Sequence, residues 1–149
     1  MLTPFDDTYF MKKALEEAET AYERGEIPVG CLVISKNTII AKGHNLTEML
    51  QDVTAHAEMQ TITAAANYLG GKYLKDCTMY VTLEPCQMCA GALYWSQIDN
   101  IVVAAEDPER GYRAQGGKIH PKTNISFGLL AEESSQLLKR FFKEKRGRF

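Results

Sequence analysis

Two hydrophobic periods alternate along the chain. Phe10, Met11, Ala14, Leu15, Ala18 and Tyr22 recur at three- and four-residue steps, with acidic residues before them and Gly25 after them. This spacing predicts an amphipathic first helix that starts on acids and ends at glycine. Residues 29–34 and 38–41 are rich in β-branched side chains and are separated by Ser35, Lys36 and Asn37, the pattern of an antiparallel hairpin. A second helix is expected from about residue 55 to 69, burying Met59, Ile62, Ala66 and Leu69 and stopping at Gly70 and Gly71. Residues 77–83 read as a strand, 86–95 as a short helix and 101–105 as a strand. A last strand near 125–129 precedes a helix that carries Leu137, Leu138, Phe141 and Phe142.

This alternation favours an α/β class, a three-layer α/β/α domain covering residues 1–149. Its five-stranded mixed sheet would be parallel where helices join strands and antiparallel at the first hairpin. Between residues 106 and 121 the pattern fails, with Pro108, Gly111, Gly116 and Gly117 in one irregular stretch. Long loops in compact domains often serve function, and this one is expected to form a wall or lid of a site.

Composition narrows the class. At 149 residues, 45% hydrophobic and 24% charged, the chain has globular values and room for one domain with one active site. The first residues lack the basic-then-apolar order of a signal peptide, and no apolar run is long enough to span a bilayer. A cytoplasmic, membrane-free protein is therefore expected, whose four cysteines serve as thiols or metal ligands rather than disulfides. The net charge of −2 argues against wholesale nucleic-acid binding. The charge is uneven, however: residues 139–149 hold six basic side chains (Lys139, Arg140, Lys143, Lys145, Arg146, Arg148) against Glu144 alone. A local basic patch of this kind can contact phosphates, and it equally suits a solvated helix end.

Two segments carry the chemistry: Thr54-Ala55-His56-Ala57-Glu58 and Glu84-Pro85-Cys86-Gln87-Met88-Cys89, each at a predicted helix start. Cys86 and Cys89 lie three apart and can chelate one ion from one helix face, and a helix N-terminus favours the thiolate that zinc needs. Pro85 suits the start of a helix, where its missing N–H costs nothing. His56, Cys86 and Cys89 supply three ligands to a metal that is normally four-coordinate, which leaves a position for water. His44, His120, Cys31 and Cys77 are the other possible donors, and Cys31 and Cys77 fit better as small core residues in strands. Bound zinc lowers the pKa of water from about 15.7 to about 7, which removes roughly 12 kcal/mol from the cost of making hydroxide. A leaving amine must gain a proton, so a carboxylate has to carry it, and Glu58 is the candidate. On a regular helix Glu58 and His56 would point about 200° apart. They converge only if His56 sits in or before the first turn. A purely structural zinc site would more often have four protein ligands. Together the two segments match the H-x-E and P-C-x-x-C signature of zinc nucleobase deaminases.

On these residues the chain resembles the cytidine-deaminase-like superfamily, and more closely the bacterial tRNA-specific adenosine deaminase (TadA) family. The resemblance also covers Gly25-Glu26-Ile27-Pro28-Val29-Gly30, Gly43-His44-Asn45, the run from Tyr80 to Ala92, His120-Pro121-Lys122-Thr123 and Leu137 to Phe142. It implies one zinc per subunit on His56, Cys86 and Cys89, with Glu58 as proton shuttle. The backbone of Ala57 and Pro85 would face the base, Asn45 would hydrogen-bond it and Val29 would line its pocket. Read without the family, Asn45 is a turn residue. Asp107 would approach the RNA near the target nucleotide, and Phe142 and Arg146 would hold the anticodon loop, although Phe142 also lies on the apolar stripe. The implied reaction is hydrolytic conversion of the wobble adenosine to inosine by a homodimer whose two subunits both contact the tRNA anticodon stem-loop.

The chain departs from the family at Val53, where many relatives have proline, and in Glu106-Asp107-Pro108-Glu109-Arg110-Gly111-Tyr112. Tyr94 and Trp95 are similar to free guanine deaminases of the same superfamily. A deaminase of free guanine, cytosine or a nucleoside is therefore one alternative, disfavoured by the basic end. A non-catalytic zinc-containing RNA-binding subunit is another, disfavoured by Glu58.

Overall fold

The computed structural model describes residues 5–146, so expectations for the first four residues and for Arg148 lie outside the described residues. The elements follow in the order α1 (Asp7–Glu23), β1 (Gly30–Ser35), β2 (Thr38–His44), α2 (Ala57–Leu69), β3 (Cys77–Leu83), α3 (Gln87–Ser96), β4 (Asn100–Ala105), β5 (Asn124–Phe127) and α4 (Ala131–Arg146). They form one five-stranded sheet in the order β2-β1-β3-β4-β5. β1 pairs antiparallel with β2 and β3, while β3–β4 and β4–β5 are parallel. The mixed three-layer architecture expected from the sequence is present. Among the described residues no helix is long and apolar enough to cross a membrane.

Alternation along the central strands sorts side chains between two cores. Cys31 and Val33 of β1, Met79 and Val81 of β3, and Ile101 and Val103 of β4 pack with Ala57, Ala65 and Leu93 of α2 and α3. Leu32 and Ile34, Tyr80, Val102 and Ala104 face the other way, with Phe10, Met11 and Ala14 of α1. A large apolar side chain buried this way contributes about 1.5–3 kcal/mol. Both faces of β1, β3 and β4 are covered, which is why these strands read as continuous apolar runs. The edge strands β2 and β5 alternate with exposed positions instead.

Local chemistry sets the element ends. Asp6 caps α1 by accepting the Tyr9 N–H at 2.9 Å. The hairpin turns on Lys36 and Asn37, both at positive φ, the two-residue geometry that matches the twist of the flanking strands. At Gly30 a Cβ would run into the α1 backbone at Ala14 and Ala18, so β1 lies directly against the small-residue face of that helix. On α1, Leu15 and Tyr22 are only partly buried and Ala21 is fully buried, because the helix rolls slightly from its expected stripe.

The α2 expectation needs the larger correction. The helix begins at Ala57, not at residue 55, and its buried face is Ala57, Glu58, Thr61 and Ala65. Ile62 and Ala66 pack at the margin, Met59 is half-buried and Leu69 is exposed. The helix is turned so that its innermost row presents Glu58 and Thr61, at the expense of the apolar row. On α4 the buried aromatic is Phe141, while Phe142 is exposed.

Candidate metal centre

The parallel strands β3 and β4 end side by side at Leu83 and Ala105, and β1 begins and β2 ends at the same edge of the sheet. The crevice beyond the carboxyl ends of parallel strands is where such sheets place ligands. Both chemical segments open into it. His56 is the N-cap of α2 with an extended ψ of 156°, and Cys86 is the N-cap of α3 with ψ 175°. His56 therefore lies before the helix while Glu58 lies in its first turn. This resolves the convergence problem posed by their spacing.

His56 Nδ1 is 3.6 Å from the sulfurs of both Cys86 and Cys89. Tetrahedral zinc, with Zn–S of about 2.3 Å and Zn–N of about 2.0–2.1 Å, would hold such a nitrogen and sulfur about 3.6 Å apart. One imidazole and two thiols at this separation fit zinc. Among the described residues the ligand group stops at these three. Cys31 donates to the Thr61 hydroxyl at 2.8 Å and Cys77 to the Lys75 carbonyl at 3.3 Å, both within the α2/α3 core. His44 pairs with Glu17, and His120 packs at a tilt against the Tyr94 ring. The Val53 carbonyl adjoins the His56 ring, and a backbone acceptor of this kind orients a ligating imidazole. Val53 serves through its backbone, with its side chain 85% exposed, so valine in place of proline costs the site nothing at that contact.

The thiols are electrostatically unequal. A hydrogen bond from Cys89, aided by His56 and the Cys89 N–H, pulls the Cys86 thiol down to about 4 against the cost of burial. The same shared proton, together with burial, holds Cys89 far above the usual thiol range. His56 is raised, first by its hydrogen bond to Cys86. At neutral pH the metal-free site thus keeps the Cys89 proton, and the hydrogen bond to Cys86 favours the protonated imidazole. Zinc binding near pH 7 is expected to release about one to two protons, measured as the buffer-dependence of the calorimetric enthalpy. No proton release would contradict this assignment of the ligands.

Glu58 is 4% exposed, and burial pushes its carboxyl up to about 7. Repulsion from Cys86 adds to the rise, while its own N–H, His56 and Cys89 oppose it. A buried carboxyl beside a metal site that titrates near neutrality can both take and give a proton. Asn45 is 6% exposed, and its Oδ1 is buried with no hydrogen-bond partner. An orphaned buried acceptor is costly unless something else satisfies it. The Asn45 backbone N–H donates to the Val29 carbonyl at 3.1 Å, at the edge of the sheet where β1 begins and β2 ends, and Val29 is partly buried. Ala57 and Pro85 are buried immediately beside His56 and Cys86.

Other expected residues lie further out. Asp107 Oδ1 accepts the N–H groups of Glu109 and Arg110, so that oxygen caps a turn. Phe142 is 40% exposed and Arg146 is exposed on the last turn of α4. That helix meets the end of α1, where Arg140 Nε donates to the Tyr22 hydroxyl at 2.9 Å and Phe141 packs edge-on to Tyr22. The segment after β4 is a fixed wall: the Tyr112 N–H donates to the Pro85 carbonyl at 2.8 Å and the Asp107 N–H to Glu84 at 3.1 Å.

Two further buried carboxylates hold the walls of the site. Glu26 accepts the N–H groups of Glu48 and Met49 at 2.9 and 2.8 Å, pinning the loop that leads to His56. Glu84 pins the opposite wall. Glu84 directly precedes Pro85 and Glu26 lies two residues before Pro28, and an acid so close to a proline and an apolar residue was the available signal in the sequence.

Residues 5–105 match the family described as the cytidine and deoxycytidylate deaminase zinc-binding region. A tRNA-specific adenosine deaminase of Aquifex aeolicus (strain VF5) is 43% identical, covering 93% of this chain and 95% of its own. A solved structure from a study of A-to-I editing by tRNA:A34 deaminases superposes with a TM-score of 0.82 at 38% identity, covering 88% of this chain and 99% of that one. A guanine deaminase from Bacillus subtilis superposes with a TM-score of 0.66 at 35% identity, covering 76% of this chain and 71% of that one. With zinc-compatible donors at the helix starts and this likeness over most of its length, the chain belongs to the tRNA-specific adenosine deaminase family of zinc-dependent hydrolytic deaminases.

Proposed function

We propose that this chain converts adenosine to inosine at the wobble position of a tRNA anticodon loop. The observation that carries the reading is the buried Glu58 carboxyl beside a three-donor metal set, with the unpartnered Asn45 oxygen at the same edge of the sheet. His56, Cys86 and Cys89 would hold one zinc ion, which when bound brings the pKa of water to about 7. Glu58 accepts a proton at its carboxylate and delivers it to the departing amine, so that ammonia and not an amide anion leaves. Asn45 Oδ1 accepts a hydrogen bond from the base, and Val29 packs against the base on the side where it enters. Ala57 contributes a first-turn N–H, which has no acceptor within its helix. The Pro85 carbonyl keeps a second lone pair beyond its bond to Tyr112, available to the leaving amine.

A base in an anticodon loop is already unpaired, which lowers the cost of drawing it into a closed pocket. Arg146 and the exposed Phe142, beside Lys139, Arg140 and Lys143, suit the phosphates and bases of such a loop, and Asp107 on the segment after β4 would approach the RNA near the target nucleotide. We read the active form as a cytoplasmic homodimer of 1–149 units that contacts RNA with both subunits. Exposed apolar side chains at Met49, Leu50, Tyr68, Tyr73 and Trp95 are available to a contact between copies.

The likeness to a guanine deaminase, with Tyr94 and Trp95, favours a second reading as a free-base deaminase. Incubation with a stem-loop bearing adenosine at the wobble position, and separately with free guanine and free adenosine, distinguishes the two. Inosine in the RNA is expected. Xanthine from guanine, with the RNA unchanged, would replace the tRNA reading with the second one.

A further inference from the structure

The segment after β4 is wrapped around one carboxylate. Glu84 Oε1 accepts the Asp107 N–H at 3.1 Å and Arg113 Nη2 at 2.8 Å. Glu84 Oε2 accepts Arg113 Nε at 3.2 Å and the Arg113 backbone N–H at 3.3 Å. Between these anchors, Gly111 passes so close that a Cβ there would overlap the Glu84 carboxyl. The guanidinium also lies over the Phe127 ring at 4.0 Å and reaches Glu106 at 3.3 Å, tying the loop to the end of β5. Burial raises the Glu84 carboxyl, but the bonds from Arg113 and the two backbone N–H groups outweigh it and leave the group below its usual value.

We propose that Arg113 is a positioning residue for substrate, one that presets the wall carrying Asp107 and Tyr112 by gripping Glu84 with both edges of its fork; this rests on the proposed entry of the base beside Pro85. Three features carry the argument. The Glu84 side chain is buried while that of Arg113 is half-exposed, so loss of the arginine leaves no core cavity and strands a charge that the loop must re-solvate. The fork binds both carboxylate oxygens and stacks on an aromatic face, which a lysine ammonium cannot do at once. Tyr112, one residue before Arg113, holds the Pro85 carbonyl, so the clamp reaches the peptide that leads into Cys86. A wall ordered before binding spares the ordering cost when substrate arrives, and that saving acts on KM.

The test compares zinc-loaded wild type with Arg113→Ala and Arg113→Lys by amide hydrogen exchange and by steady-state kinetics on the anticodon stem-loop. In Arg113→Ala the amides of Asp107, Gly111, Tyr112 and Arg113 are expected to exchange at least about tenfold faster, with those of α2 and β3 unchanged. Zinc content should match wild type, KM should rise about tenfold and kcat should stay within about threefold. Arg113→Lys should fall between the two in both readouts. Unchanged loop exchange would overturn the proposal, as would a fall in kcat at constant KM or a loss of zinc. If wild type leaves the RNA unaltered, the proposed function fails separately and the exchange measurement alone decides on the clamp.

Discussion

Glu58→Gln is expected to lower kcat by roughly 10³-fold, within the range for removing a positioned proton carrier, with zinc content and circular dichroism unchanged. Glutamine keeps the volume of the side chain but cannot take and release a proton. The reaction needs that exchange, because a carboxylate beside the metal set must take a proton and give it to the departing amine; in the metal-free site burial raises this carboxyl to about 7. A variant retaining more than about a tenth of wild-type kcat would remove Glu58 from the proton path. The same substitution has a second, opposite signature in stability. In metal-free protein, Glu58 is protonated in both folded and unfolded chains below its ordinary pKa of 4.5 and costs nothing there. As pH rises from 4.5 towards about 7 the unfolded chain ionises first, and the penalty saturates above about 7 at about 3 kcal/mol. Metal-free Glu58→Gln should therefore match wild type near pH 4 and exceed it by about 3 kcal/mol near pH 8 in denaturant titrations. Equal stability at both pH values would mean that the carboxyl is not desolvated.

Stripping the metal with a chelator is expected to abolish turnover and to lower Tm by about 10 °C without unfolding the chain. Two cores on opposite faces of the sheet hold the fold, and most of their members are remote from the ligands. With free zinc at about a thousand times its Kd, binding to the folded state alone contributes about 4 kcal/mol. A domain of this size shifts by about 2–4 °C per kcal/mol. Cys86→Ala and Cys89→Ala should reproduce both changes, whereas Cys77→Ala should spare turnover, because that thiol bonds the Lys75 carbonyl. Full activity in chelated protein, with metal absent by mass spectrometry, would exclude zinc from the reaction.

The parts of this molecule legible in the sequence were those set by short-range rules. Strand and helix periods gave the layers, and the two paired motifs gave His56, Cys86, Cys89 and Glu58. What stayed hidden depended on rotation and on contacts between distant segments. The roll of α2 that buries Thr61 and exposes Leu69 follows from the needs of Glu58 and the ligands, which a hydrophobic stripe does not encode. Asn45 reads as a turn residue from its neighbours, and its burial appears only once β2 lies against β1. The wall after β4 reads as an irregular loop because its order comes from Glu84, more than twenty residues earlier in the chain. Arg113, exposed and without a motif, carried no signal at all.

The imidazole and its first thiol partner are 30 residues apart, supplied by the starts of two helices on either side of β3. A nascent polypeptide emerging from the ribosome cannot close a tight coordination cage until β3 has paired and the second of those helices has docked. The donor set is therefore completed only after β3 and the start of α3 are in place, and a chain ending before Cys86 lacks both thiols of the site.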